Sequence, residues 1–147
     1  MSTRPVGLSN NHVAAVRTVT GSPVAADAEP YVDASFPPSP DPTTGGAINA
    51  AGFATVWVGL EFVGGNSPSA TIMPLVRDDG APDGARWKNL SVGGAALQVT
   101  PPAASFVEMR VDGRVIFPVL SAVAGTPTQV TVLAFPGRVL GGVSVDT

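Results

Sequence analysis

Residues 1–50 and the residues from Phe53 onward follow different rules, and that change limits the folds open to the chain. Residues 1–50 hold only nine Leu, Ile, Val or Phe, with no sustained period, and include Pro30, Pro37, Pro38, Pro40 and Pro42 ahead of Thr43-Thr44-Gly45-Gly46. Proline fixes φ and lacks an N–H, so this run excludes helix and favours extended backbone. From Phe53 the chain alternates apolar and polar residues, broken by Gly, Pro and Asp-Gly turns. Alternation is the period of a strand with one buried face. The expectation is an extended Pro-rich N-terminal arm over 1–50 and a β domain over 51–147.

The clearest strand is Phe53 to Val63, with Ala54, Val56, Val58, Leu60 and Phe62 on one face and Thr55, Trp57, Gly59 and Glu61 on the other. Around Asp112-Gly113 the alternating run Phe106–Phe117 carries the signature of a two-residue type I′ hairpin, whose two central residues both need positive φ. A hairpin there would set Val111 opposite Arg114 and Met109 opposite Ile116. A shorter run, Val13 to Thr20, reads as a strand inside the arm. An echo at an offset of sixty residues relates Val63-Gly64-Gly65 and Thr71-Ile72-Met73 to Val123-Ala124-Gly125 and Thr131-Val132-Leu133. It is expected to mark two similar hairpins. Short strands with turns about every ten residues predict an all-β fold, an antiparallel β-sandwich or jelly-roll-like domain.

Composition narrows the function classes. There is no cysteine, hence no disulfide framework and no thiolate metal site. Charged residues make up 13% of the chain, with Lys88 the single lysine, against the roughly one quarter usual in soluble domains. Surfaces short of Lys and Glu are what buried interfaces favour. Net charge is −3, with −2 of it in residues 1–50, and no basic stripe offers to neutralise phosphates. Direct nucleic-acid binding is therefore not expected. Neither a signal-peptide core nor an apolar run of membrane-spanning length is present, so synthesis in a cytoplasm without membrane insertion is expected.

Candidate chemistry is sparse. His12, the only histidine, lies in the arm beside Asn10 and Asn11, with no acid and nucleophile held next to it. Asp78, Asp79 and Asp83 bring three carboxylates into six residues, but without the alternating ligands and terminal Glu of a calcium loop they read as turn formers. Glu61 and Glu108 are the only glutamates in expected strands, and no spacing brings them together as a glycosidase pair. Trp57, Trp87 and Tyr31 sit on different elements and read as core or interface anchors rather than a sugar platform. Asn89-Leu90-Ser91 matches a glycosylation acceptor, which has no meaning without secretion. No catalytic residue, cofactor site or metal site is expected.

The whole pattern resembles the small structural proteins of tailed bacteriophages, most of all capsid decoration (cement) proteins. The resemblance is carried by the intact Met1, the Pro-rich arm, the absence of cysteine, the single lysine, and short strands such as Ala54-Thr55-Val56-Trp57-Val58-Gly59-Leu60 and Gln129-Val130-Thr131-Val132-Leu133. It is one of architecture, without a diagnostic motif. It implies a non-enzymatic virion protein that sits on the capsid surface, bridges subunits of the major capsid protein, and self-associates, often as a trimer. In that role the arm would lie along the shell, with Tyr31, Val32, Phe36, Pro37 and Pro38 as its partner-binding residues. A head–tail connector or tail component, and a carbohydrate- or host-binding β module, are the alternatives.

Overall fold

A computed structural model describes residues 6–7, 13–27, 47–77 and 87–140. These residues contain no helix. Eleven strands run in order: β1 (Val6–Gly7), β2 (Ala14–Thr20), β3 (Ile48–Asn49), β4 (Thr55–Val63), β5 (Ser69–Arg77), β6 (Trp87–Asn89), β7 (Ser91–Val92), β8 (Ala95–Ala96), β9 (Phe106–Arg110), β10 (Val115–Ala124) and β11 (Gln129–Pro136). One sheet has the order β1-β3-β10-β5-β6 and the other β2-β11-β4-β9, with β7 and β8 as a separate small pair. The pairings are antiparallel except for β1 with β3. The two sheets close on one apolar core that includes Val56, Val58, Leu60, Ile72, Met109, Ile116, Leu120, Val130 and Val132. This is the expected β-sandwich, and the buried face of β4 carries the alternating residues that the period-two pattern selects.

The echo at sixty residues is built into the fold, though not as two hairpins. β4 and β5 lie in different sheets, and so do β10 and β11, so each connection is an arch across the sandwich. Val56 to Leu60 pair with Pro136 back to Val132. Adding sixty to the first set and subtracting it from the second gives Ile116 to Leu120 paired with Val76 back to Ile72, which is the observed register of β10 on β5. A pseudo-two-fold axis thus exchanges β4 with β10 and β5 with β11. It also matches β9 beside β4 to β3 beside β10, and β2 beside β11 to β6 beside β5. At one end the two arches interlock: Asn66 N donates to Gly125 O at 2.8 Å. A Cβ on Gly65 would lie 2.6 Å from Gly125 O, and one on Gly125 would lie 2.6 Å from Asn66 O. Only glycine lets the two backbones approach this closely.

Asp112 and Gly113 both adopt positive φ, at 50° and 74°, and Arg114 N donates to Val111 O. The turn has the expected chemistry, but it does not join neighbours in one sheet. β9 pairs with β4, whereas β10 pairs with β3 and β5. Met109 therefore lies opposite Val56, and Ile116 opposite Ile48 and Val76. The reason is the backbone around Val111: Val111 N and Asp112 N both donate to Ala54 O, and Gly113 N donates to Phe53 O, so β9 stays on the β4 side until the corner. Burying Val111 in the core then turns the chain into the other sheet.

The sandwich also reaches below residue 50. β2 forms the edge of the four-stranded sheet along β11, and Val16, Val24, Ala47, Ile48 and Ala50 are buried. The expected arm over 1–50 is corrected for residues 13–27 and 47–50, because their few apolar side chains are spent on the core. Arg17 explains how this stretch is held. Its guanidinium donates to Asp27 Oδ2 at 2.6 Å and Oδ1 at 2.5 Å, and to Pro118 O at 2.9 Å. It also lies 4.6 Å from the centre of the Phe117 ring. Asp27 in turn accepts from Leu120 N at 2.7 Å and donates its own N–H to Leu120 O at 2.9 Å. β3 pairs only with Val115 and Ile116 of β10. Beyond it Pro118 has no N–H to satisfy, and Arg17 and Asp27 take Pro118 O and the N–H and C=O of Leu120.

Candidate functional site

The outer face of the four-stranded sheet gathers the side chains best suited to contact. On β4 that face carries Thr55, Trp57, Gly59, Glu61 and Val63, because Val56, Val58 and Leu60 point into the core. By the same alternation β9 presents Phe106, Glu108 and Arg110, and β11 presents Thr131, Leu133 and Phe135. Register brings the aromatic residues together: Trp57 lies opposite both Phe135 and Glu108, and Gly59 opposite both Leu133 and Phe106. The Trp57 and Phe135 rings stack at 6.0 Å with 7° between planes, and Phe106 meets Phe135 edge-on at 5.0 Å and 64°. Such pairs contribute about 0.5–1.5 kcal/mol beyond their buried area. Gly59 makes the cluster possible, since a Cβ there would lie 2.9 Å from two Phe106 ring carbons. All three aromatic residues remain half-buried.

One end of this face is polar and bonded. Thr55 Oγ1 donates to Glu108 Oε2 at 2.7 Å and accepts from Arg138 N at 2.8 Å, while Arg138 Nε lies 3.6 Å from Glu108 Oε2. At the same end Arg110 pairs with Asp112 on the surface. The other end holds Glu61, exposed, with no ion pair among the described residues. Beside it, β9 stops opposite Gly59 and leaves β4 without a neighbour on that side. A shallow cleft of about 320 Å³ opens there, walled by Glu61, Ala104, Ser105, Phe106 and Leu133.

Glu61 and Glu108 share this face but not a site. Glu108 is opposite Trp57, four residues from Glu61 along β4, or about 13 Å at strand rise. Carboxylate pairs that hydrolyse glycosides stand about 5–9.5 Å apart. Glu108 is instead held by Thr55 and Arg138. Among the described residues no group of three His, Asp or Glu is placed to hold a metal ion. Trp57 and Trp87 fall in different sheets. Tyr31, Val32, Phe36, Pro37 and Pro38 lie outside the described residues, as do His12, Asp78, Asp79 and Asp83. Phe106 and Phe135 are the contact residues that sequence reasoning missed. Their parity on adjacent strands was readable, but the register that places them around Trp57 was not.

No family model matches the chain, and neither a curated protein nor a solved structure matches it.

Proposed function

We propose that the chain is a non-enzymatic virion structural protein, a capsid decoration protein that binds and stabilises the shell of the major capsid protein and self-associates. The observation that carries this reading is the use of the strand carboxylates. Glu108 is tied into the Thr55–Arg138 cluster and Glu61 stands four residues along the strand from Trp57, an arrangement that supports a contact role for this face. Low charge and a chain whose Pro-rich segment holds Tyr31, Val32, Phe36, Pro37 and Pro38 fit a protein that grips a larger body. Such a protein assembles in the host cytoplasm and resides on the capsid surface. The test is co-sedimentation with purified shells of the virus that encodes it. Saturable binding at a fixed copy number per shell subunit is expected; binding to tails alone would favour the connector or tail role, and binding to neither would end the proposal.

One observation favours a second reading, a carbohydrate- or host-binding module. Trp57 and Phe135 form a partly exposed, nearly parallel aromatic pair. Glycan-array binding that Trp57→Ala abolishes would establish it.

A further inference from the structure

The pseudo-two-fold axis makes the two outer sheet faces equivalent, yet their central residues differ in exposure among the described residues. Trp57 corresponds to Phe117, Phe135 to Leu75, and Gly59 to Val119. Phe117 and Leu75 are 1% and 0% exposed, in a second apolar cluster with Ala47 and Val119, and the Arg17 guanidinium lies against the Phe117 ring. Their counterparts Trp57 and Phe135 are partly exposed. Among the described residues one aromatic face is thus buried, with the Arg17 guanidinium against it, and the other is partly exposed.

The partly exposed face is complementary to itself. Glu61 and Val63, the latter 50% exposed, stand at one end. Arg138, whose side chain is 80% exposed and held only at 3.6 Å from Glu108, stands at the other, followed by Val139 at 48% exposure. The aromatic cluster lies between them. A two-fold axis through that cluster carries Glu61 of one copy toward Arg138 of the other, whose contact with Glu108 is long and exposed, and one exposed valine toward the other. It also brings a guanidinium toward the cleft that Glu61 and Phe106 line, where the Glu61 carboxylate offers it an ion pair. β4 is nine residues long, so the face measures about 30 Å by 15–20 Å. That footprint suits the smaller specific interfaces.

We propose that the outer face of the four-stranded sheet is the contact face of a two-fold homodimer, in which Glu61 and Val63 of one copy meet Arg138 and Val139 of the other around Trp57, Phe106 and Phe135. This rests on the self-association within the proposed function and gives it a surface and a symmetry. Attachment to a capsid is a separate step.

Sedimentation equilibrium of the full chain, from about 1 to 100 µM, reads the outcome. The expected species is a reversible dimer of twice 14.8 kDa. Glu61→Arg and Arg138→Glu each place like charges opposite one another twice per dimer, and each should weaken association about tenfold or more. The double variant Glu61→Arg/Arg138→Glu restores opposite charges and should recover affinity to within about threefold of the parent. Circular dichroism melts of all three variants check that the sandwich is intact. A parent that stays monomeric at 100 µM, a trimer mass, or a double variant no tighter than the single ones would overturn the inference. A monomer that still sediments with capsids overturns the dimer and the self-association and leaves the capsid-binding role standing; a charge-dependent dimer that ignores capsids does the reverse.

Discussion

Replacing Arg17 with Met tests whether residues 13–27 are structural members of the sandwich. The Arg17 and Asp27 side chains are only 11% and 16% exposed, so the substitution strands a nearly buried carboxylate and leaves Pro118 O without its donor. Breaking a buried pair from one side costs about 3–5 kcal/mol. The residual exposure of Asp27, and the N–H it still accepts from Leu120, lower this to about 2–4 kcal/mol, including the lost contact with Phe117. For a domain of this size that corresponds to a fall in Tm of about 5–12 °C. Asp27→Leu should cost a similar amount, since it leaves Leu120 N without its acceptor and a nearly buried guanidinium without its counter-ion. The double variant Arg17→Met/Asp27→Leu removes both charges at nearly constant volume, and should be more stable than either single one, with a coupling of about 2 kcal/mol or more. Urea and thermal melts followed by circular dichroism give all four corners of the cycle. Additive effects, or single variants within about 2 °C of the parent, would refute a structural role for the Arg17–Asp27 pair.

Truncation to residues 51–147 removes the buried Val16, Val24 and Ile48, a loss of about 5–9 kcal/mol at 1.5–3 kcal/mol each. That is most of the roughly 5–15 kcal/mol a domain holds, so the fragment should show no cooperative melt in differential scanning calorimetry. Gly113→Val puts a β-branched residue at a φ of 74° and should cost about 1–2 kcal/mol, seen as a Tm lower by some 3–6 °C. Gly125→Ala meets both a φ of 82° and a Cβ 2.6 Å from Asn66 O, and should destabilise by at least about 2 kcal/mol in urea titration.

What was legible in the sequence is what adjacent residues decide. The alternation in β4 names its buried face, and Asp112-Gly113 names a turn with two positive φ values, because both are local matters of side-chain parity and backbone sterics. Which strand the next one pairs with is decided at long range. Nothing near Asp112 states that Phe53 and Ala54 will hold its backbone and send β10 into the other sheet. The division at residue 50 misled for a related reason. The run Val13 to Thr20 was readable as a strand, and β2 is there, but Val16, Val24 and Ile48 are too few to announce that this segment belongs to the core, where each is buried. The echo at sixty residues was visible, but its meaning needed the two matching registers of β4 on β11 and β10 on β5. Trp57 was readable as an anchor; Phe106 and Phe135 became its partners only through cross-strand register.

The proposed role on a shell is tested most directly by cryo-electron microscopy of capsid particles prepared with the chain bound. That role predicts two-sheet sandwiches on the outer surface, at repeated positions of the lattice, joined to the major capsid protein. Particles whose shells carry no such density, with the chain found only at a single vertex or on the tail, would contradict it.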